Sequence, residues 1–112
     1  MCTTNQAIEI LGEVYRNSCN MFSSIHDAYL YGSYARGDYN KESDVDILLI
    51  ATLSENELPN YRSAIASVSS DLSLKYDVTV SITVKPLEQF QKFQNVLPYY
   101  QNVIKEGIRY AI

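Results

Sequence analysis

The fold is decided by residues 29–51, which read YLYGSYARGDYNKESDVDILLIA. This stretch opens with a short β-favouring run, Tyr29–Tyr31, that stops at Gly32 and Ser33. Glycine lets the backbone approach a ligand closely or adopt a positive φ. A short helix is expected directly after this turn, over residues 34–36. Backbone N–H groups at the start of a helix can point at an anion. The segment therefore predicts a turn that holds a phosphate group.

The second half of this stretch predicts a strand over residues 44–51 that begins with two aspartates. Side chains alternate along a strand, so Asp44 and Asp46 are expected on one face, roughly 6.5–7 Å apart at Cα. Two neighbouring carboxylates repel each other unless a cation joins them. Oxygen ligands suit Mg²⁺ or Mn²⁺, above all when a phosphate supplies further oxygens. The pattern therefore predicts a divalent-metal site beside the phosphate turn.

The spacing of these residues resembles a known signature. Gly32-Ser33, ten intervening residues and then Asp44-Val45-Asp46 resemble the GS-x10-DxD pattern of the DNA polymerase β-like nucleotidyltransferases. Three segments resemble the corresponding parts of the minimal single-domain members, the MNT proteins: GSYARGD, SDVDILL and the final VIKEGIRYAI. The resemblance implies that Gly32 and Ser33 hold a nucleoside triphosphate and that Asp44 and Asp46 bind Mg²⁺. It also implies a third carboxylate on a later strand.

Asp77 is the candidate for that third carboxylate. It opens an alternating segment, residues 77–84, that predicts a strand with its valines and Ile82 on one face. The resemblance then implies a catalytic and metal-binding role for Asp77. The alternative is a strand-end aspartate that only forms a turn.

Two basic residues near the predicted site have open roles. Arg36 lies one turn beyond Gly32-Ser33, where its guanidinium would contact phosphate as part of the nucleotide site or pair with Asp38 or Asp44 to hold the loop. The structural role is favoured, because a guanidinium can bind a carboxylate through two hydrogen bonds. Lys85 would reach a triphosphate or remain solvated.

The remaining patterns predict a single α+β domain over residues 1–112, with the palm-like nucleotidyltransferase fold that the resemblance implies. A small mixed sheet is expected, with strands near 28–31, 44–51 and 77–84 and with helices mainly on one face. Helical spacing of apolar residues predicts a first helix over residues 3–20. A capping-box pattern, Ser54 to Glu57, predicts the start of a crossover helix. Shorter helices are expected after Pro86 and from Pro98, with Gly107 as the C-terminal cap of the last.

Composition narrows the class of protein. Nine basic and thirteen acidic residues give a net charge of −4, which argues against direct nucleic-acid binding. The apolar runs are far shorter than the roughly 20 residues needed to cross a bilayer. The two cysteines form no CxxC pair, and a reducing cytoplasm is the expected location.

The resemblance implies a Mg²⁺-dependent nucleotidyl transfer that uses ATP and two metal ions. MNT proteins typically act as antitoxins that transfer AMP to a tyrosine of a partner HEPN protein, an RNase toxin, and this is the leading hypothesis. One alternative is an aminoglycoside-type nucleotidyltransferase whose acceptor site forms at a homo-oligomer interface. The other is a non-catalytic module that neutralises its partner by contact. The acceptor and the preferred base are left open by the sequence.

Overall fold

The computed structural model describes residues 2–110, which form a mixed four-stranded sheet with helices on both faces. The strands are β1 (Ile25–Tyr31), β2 (Val45–Ala51), β3 (Val80–Pro86) and β4 (Ile108–Arg109). The helices are α1 (Thr4–Cys19), α2 (Ser33–Arg36), α3 (Arg62–Tyr76), α4 (Leu87–Phe93) and α5 (Pro98–Glu106), and a 3-10 helix spans Leu58–Tyr61. None of the helices in this described part is long and apolar enough to cross a membrane.

The strand order is β3-β2-β1-β4. β1 runs antiparallel to both of its neighbours, β2 and β4, and β2 runs parallel to β3. A parallel pair needs a crossover connection, which α3 supplies. The predicted α+β class and mixed sheet are therefore confirmed.

β2 is the central strand of the core and is buried on both faces. Its side chains alternate, so that Val45, Ile47 and Leu49 join one hydrophobic cluster with α1 and α3. Leu48 and Ile50 join a second cluster with α4 and α5. The two long helices, α1 and α3, therefore share one face, as expected, and α4 and α5 cover part of the other.

Capping interactions occur at two places near helix starts, of which the sequence predicted a capping box only at Ser54. At α1 the Thr3 side chain accepts a hydrogen bond from the Gln6 N–H at 3.2 Å, and the Gln6 side chain accepts one from the Thr3 N–H at 2.9 Å. At the second, the Glu57 carboxylate accepts from the Ser54 N–H at 3.0 Å, but α3 does not begin there. A 3-10 helix precedes α3 instead, a geometry frequent at the starts of α-helices.

Gly107 is the C-cap of α5, as predicted, but its conformation is extended instead of left-handed, with a φ of −75° and a ψ of 159°. An added Cβ would lie 2.4 Å from the Val103 carbonyl oxygen and 3.0 Å from that of Leu30. Glycine is needed here because α5 ends directly against β1. The chain then forms β4, a strand that the sequence reasoning missed, in which Ile108 pairs with Leu30.

We expect Leu49→Ala to lower the free energy of unfolding by about 2–5 kcal/mol, because the Leu49 side chain is fully buried in β2 and its removal leaves a cavity. Urea denaturation would measure the change. The matched control is Leu74→Ala at a side chain that is 84% exposed, for which we expect a change within about 0.5 kcal/mol. Equal effects of the two substitutions would contradict this description of the core.

Candidate active site

The turn between β1 and α2 is shaped by Gly32. Its φ of +77° and ψ of −155° are values that only glycine adopts freely. Its carbonyl oxygen accepts hydrogen bonds from the Ala35 and Arg36 N–H groups, each at 3.1 Å. The short helix that begins at Ser33 is thereby fixed to the end of β1, one residue earlier than predicted.

Gly32 also lies directly against a carboxylate of β2. Its neighbour Tyr31 pairs with Asp46 across the antiparallel ladder, and a Cβ added to Gly32 would lie 2.6 Å from Asp46 Oδ2. Any side chain at position 32 would therefore force the Asp46 carboxylate to move. The predicted phosphate turn and the predicted metal ligand are therefore in contact.

The two aspartates of the DxD pair differ in environment. Asp44 is exposed and immediately precedes β2, which begins at Val45, whereas Asp46 is half-buried. Burial raises the pKa of the Asp46 carboxyl group above its ordinary value, and the negative charge of Asp44 raises it further. The Arg36 guanidinium acts in the opposite direction and lowers this pKa. A bound cation would relieve both the burial penalty and the repulsion, so this pair has the chemistry of a metal-ligand set.

Arg36 has the loop-holding contacts favoured by the sequence reasoning. Its Nε lies 3.3 Å from Asp38 Oδ2, and its Nη1 lies 3.7 Å from Glu106 Oε2 of α5. It thus connects the turn after β1 to the last helix while it remains close enough to Asp46 to affect its pKa.

Asp77 is not on a strand, and the predicted boundary of β3 is wrong. β3 begins at Val80, and Asp77 is the C-cap of α3 with left-handed φ and ψ of 52° and 49°. Asp77 shares a cavity of about 550 Å³ with Asp44. However, within residues 2–110 no three or more His, Cys, Asp or Glu side chains are grouped to hold a metal ion. The structure therefore places Asp46 against Gly32 and near Asp44, and it places Asp77 in a cavity with Asp44 but at the end of α3 instead of on β3.

The register of β3 reveals residues that the sequence reasoning did not connect with the site. Ser81 pairs with Asp46 across the parallel ladder, and Thr83 and Lys85 follow on the same face of the sheet. Tyr31 shares this face from β1. Their alternation was visible in the sequence, but only the register shows that they lie on the Asp46 side.

Comparison with known proteins agrees with this geometry. The family model described as "Nucleotidyltransferase domain" matches residues 13–110. The chain belongs to this family. The nucleotidyltransferase is also 37% identical over 78 residues to "Putative protein adenylyltransferase MJ0604" of Methanocaldococcus jannaschii, a match that covers 70% of each chain. These matches show that the protein is an enzyme of the nucleotidyltransferase class.

Solved structures share the fold of this nucleotidyltransferase. A crystal structure of a toxin–antitoxin with AMP-PNP matches with a TM-score of 0.57 at 20% identity and covers 88% of this chain and 69% of that chain. A crystal structure of a point mutant of the toxin–antitoxin MntA-HpeT matches with a TM-score of 0.56 at 19% identity, with coverage of 89% and 70%. At these identities the likeness supports the α+β nucleotidyltransferase fold.

We expect Gly32→Ala to lower nucleotidyl transfer by about 100-fold or more, because the new methyl group displaces the Asp46 carboxylate. Steady-state kinetics would measure this loss. Gly37→Ala is the matched control, since Gly37 also has a positive φ of 91° but has no atom within 4 Å of an added Cβ. It should cost only backbone strain of about 1 kcal/mol and leave transfer largely intact. Equal losses of activity would show that strain alone, not the Asp46 contact, explains the effect.

In the absence of divalent metal, we expect Asp46→Asn to stabilise the protein at neutral pH by roughly 0.5–1 kcal/mol. The substitution removes a half-buried charge that is repelled by Asp44. Because the folded-state pKa of Asp46 is raised, the destabilising charge is present above that pKa and vanishes as the pH falls below the unfolded-state value.

Thermal unfolding in EDTA between neutral and acidic pH would measure this difference. The advantage of Asp46→Asn over the wild type should therefore shrink as the pH falls. Asp38→Asn, at an exposed carboxylate that pairs with Arg36, is the control and should give no such gain. An advantage that grew towards acidic pH would contradict the stated origin of the shift.

Proposed function

We propose that this protein transfers AMP from ATP to a tyrosine hydroxyl of a partner HEPN toxin, with Mg²⁺ as cofactor, and thereby acts as an antitoxin. The observation on which this rests is the contact between Gly32 and the Asp46 carboxylate. It supports the proposal because the predicted phosphate turn and the predicted metal-ligand pair lie at one corner of the sheet. Such a corner suits the α-phosphate of a nucleotide.

Each residue of this corner has a part in the proposal. The N–H groups of Ser33 and Tyr34 lie in the first turn of α2, where a backbone N–H has no acceptor within the helix. They would donate to the β- and γ-phosphates together with the Ser33 hydroxyl. Asp44 and Asp46 would hold Mg²⁺, which supplies charge stabilisation for the attacking and leaving oxygens when bound. Arg36 would add positive charge near the phosphates while it keeps its contact with Asp38.

The proposed reaction exchanges one phosphorus–oxygen bond for another. The tyrosine oxygen forms a bond to the α-phosphorus, and the bond from that phosphorus to the bridging oxygen breaks. Pyrophosphate leaves with the bonding electrons, and the phenol proton passes to solvent. The protein's contribution is alignment of the nucleotide and neutralisation of its charge. Asp77 is not among the proposed metal ligands, because it lies at the end of α3 rather than on β3.

The choice of donor and acceptor is supported by the relatives. The curated relative is named as a protein adenylyltransferase, and one toxin–antitoxin of this fold was crystallised with AMP-PNP, an ATP analogue. A protein acceptor and an adenosine nucleotide are therefore the substrates that we propose for this chain.

We expect label from α-labelled ATP to be transferred, in the presence of Mg²⁺, to the protein encoded beside this one. The double variant Asp44→Asn/Asp46→Asn should lose this transfer, because it removes both proposed metal ligands. Asp77→Asn should retain most of it. Electrophoresis of the labelled proteins and mass spectrometry of the modified residue would make the measurement.

The other outcomes separate the competing functions. A tight complex without label would favour an antitoxin that acts by contact alone. Neither complex nor label, but label on an added aminoglycoside, would favour a small-molecule acceptor. Loss of transfer in Asp77→Asn with unchanged nucleotide affinity would restore a catalytic role to Asp77.

A further inference from the structure

A cavity of about 340 Å³ lies on the same sheet face as Asp46. Tyr31, which pairs directly with Asp46, forms one of its walls. Thr83 forms another and lies two residues beyond Ser81, the partner of Asp46 in β3. Strand geometry therefore places the cavity roughly 7 Å along the sheet from the Asp46 carboxylate. This offset suits a nucleoside whose α-phosphate lies beside Asp46.

The walls of the cavity are aromatic. The rings of Tyr31 and Tyr99 meet edge to face, with centroids 5.7 Å apart and an interplanar angle of 88°. The Tyr99 hydroxyl donates a hydrogen bond to the Tyr31 hydroxyl at 3.0 Å. Tyr100 packs against Tyr99 from below, with centroids 5.4 Å apart, and is itself fully buried. Tyr99 remains 38% exposed, so part of its side chain is open to a ligand.

Polar side chains lie at the edge of these rings. Gln89 and Thr83 line the cavity together with the half-buried Lys85. The Gln89 amide offers both a donor and an acceptor, the pair with which glutamine binds the N6 and N7 atoms of adenine. Within residues 2–110 the hydrogen bonds and ion pairs engage neither the Gln89 amide nor the Lys85 ammonium group, so both groups are available to a ligand.

We propose that this cavity binds the adenine base of the donor nucleotide, with the base against Tyr99 and its polar edge towards Gln89. The inference rests on the proposed function and adds the residues that select the base. The volume is at the small end of the range for ligand pockets, which suits a single heterocycle better than a segment of a partner protein.

The test separates binding of the base from binding of the phosphates. Calorimetry in Mg²⁺ would compare AMP-PNP, GMP-PNP and inorganic tripolyphosphate on the wild type and on three variants. We expect Tyr99→Ala to lower the affinity for AMP-PNP by about tenfold, since it removes a stacking surface. The affinity for tripolyphosphate should stay unchanged. Tyr99→Phe is the matched control that keeps the ring, and its AMP-PNP affinity should stay within about twofold of wild type. Gln89→Ala should reduce the preference for AMP-PNP over GMP-PNP.

Several results would overturn the base pocket. Unchanged AMP-PNP affinity in Tyr99→Ala would place the base elsewhere, and a simultaneous loss of transfer to the partner would assign the cavity to the acceptor. The base pocket would also be excluded if the wild type bound AMP-PNP no more tightly than tripolyphosphate. That result would leave the proposed phosphate site intact. If the wild type bound neither ligand, the proposed function would fail together with the pocket. Retained tripolyphosphate binding in Tyr99→Ala shows that the variant is folded.

Discussion

The site depends on one steric constraint, the absence of space between Gly32 and the Asp46 carboxylate. The antiparallel register of β1 and β2 places Tyr31 opposite Asp46, so the next residue must turn away without a side chain. That turn fixes the direction of α2 and with it the position of Ser33 and Arg36. Burial of the Asp46 carboxyl group at this corner raises its pKa above the ordinary value. The backbone turn after β1 and the surroundings of Asp46 thus depend on a single pair of residues.

The parts of the fold that could be predicted from the sequence are those encoded by neighbouring residues. Residues 47–51 of β2 form a continuous apolar run because both faces of the strand are covered, and α1 begins at a complete capping box. The spacing from Gly32-Ser33 to Asp44 and Asp46 is also local, since it spans one turn and one strand. For these elements the sequence pattern and the tertiary structure favour the same result.

The parts that could not be predicted depend on tertiary contacts. Asp77 continues an alternating pattern, but aspartate also tolerates left-handed backbone, and the end of α3 uses it in that way. β4 has only two residues and forms because β1 offers a free edge. The aromatic cavity is a product of register, since its walls come from β1, β3 and the helices that follow. No pattern within a short window of sequence contains that information.

The interior position of β1 has a consequence for how the chain is made. During synthesis β1 and β2 emerge early, but one edge of β1 waits for Ile108 and Arg109 to leave the ribosome. The closing ion pair joins Asp27 to Arg109 across 82 positions of the chain, and Asp27 is buried when it forms. Until then, the nascent sheet exposes unpaired N–H and C=O groups that can pair with another chain. The edge of β1 is therefore protected against pairing with another chain only once β4 is in place.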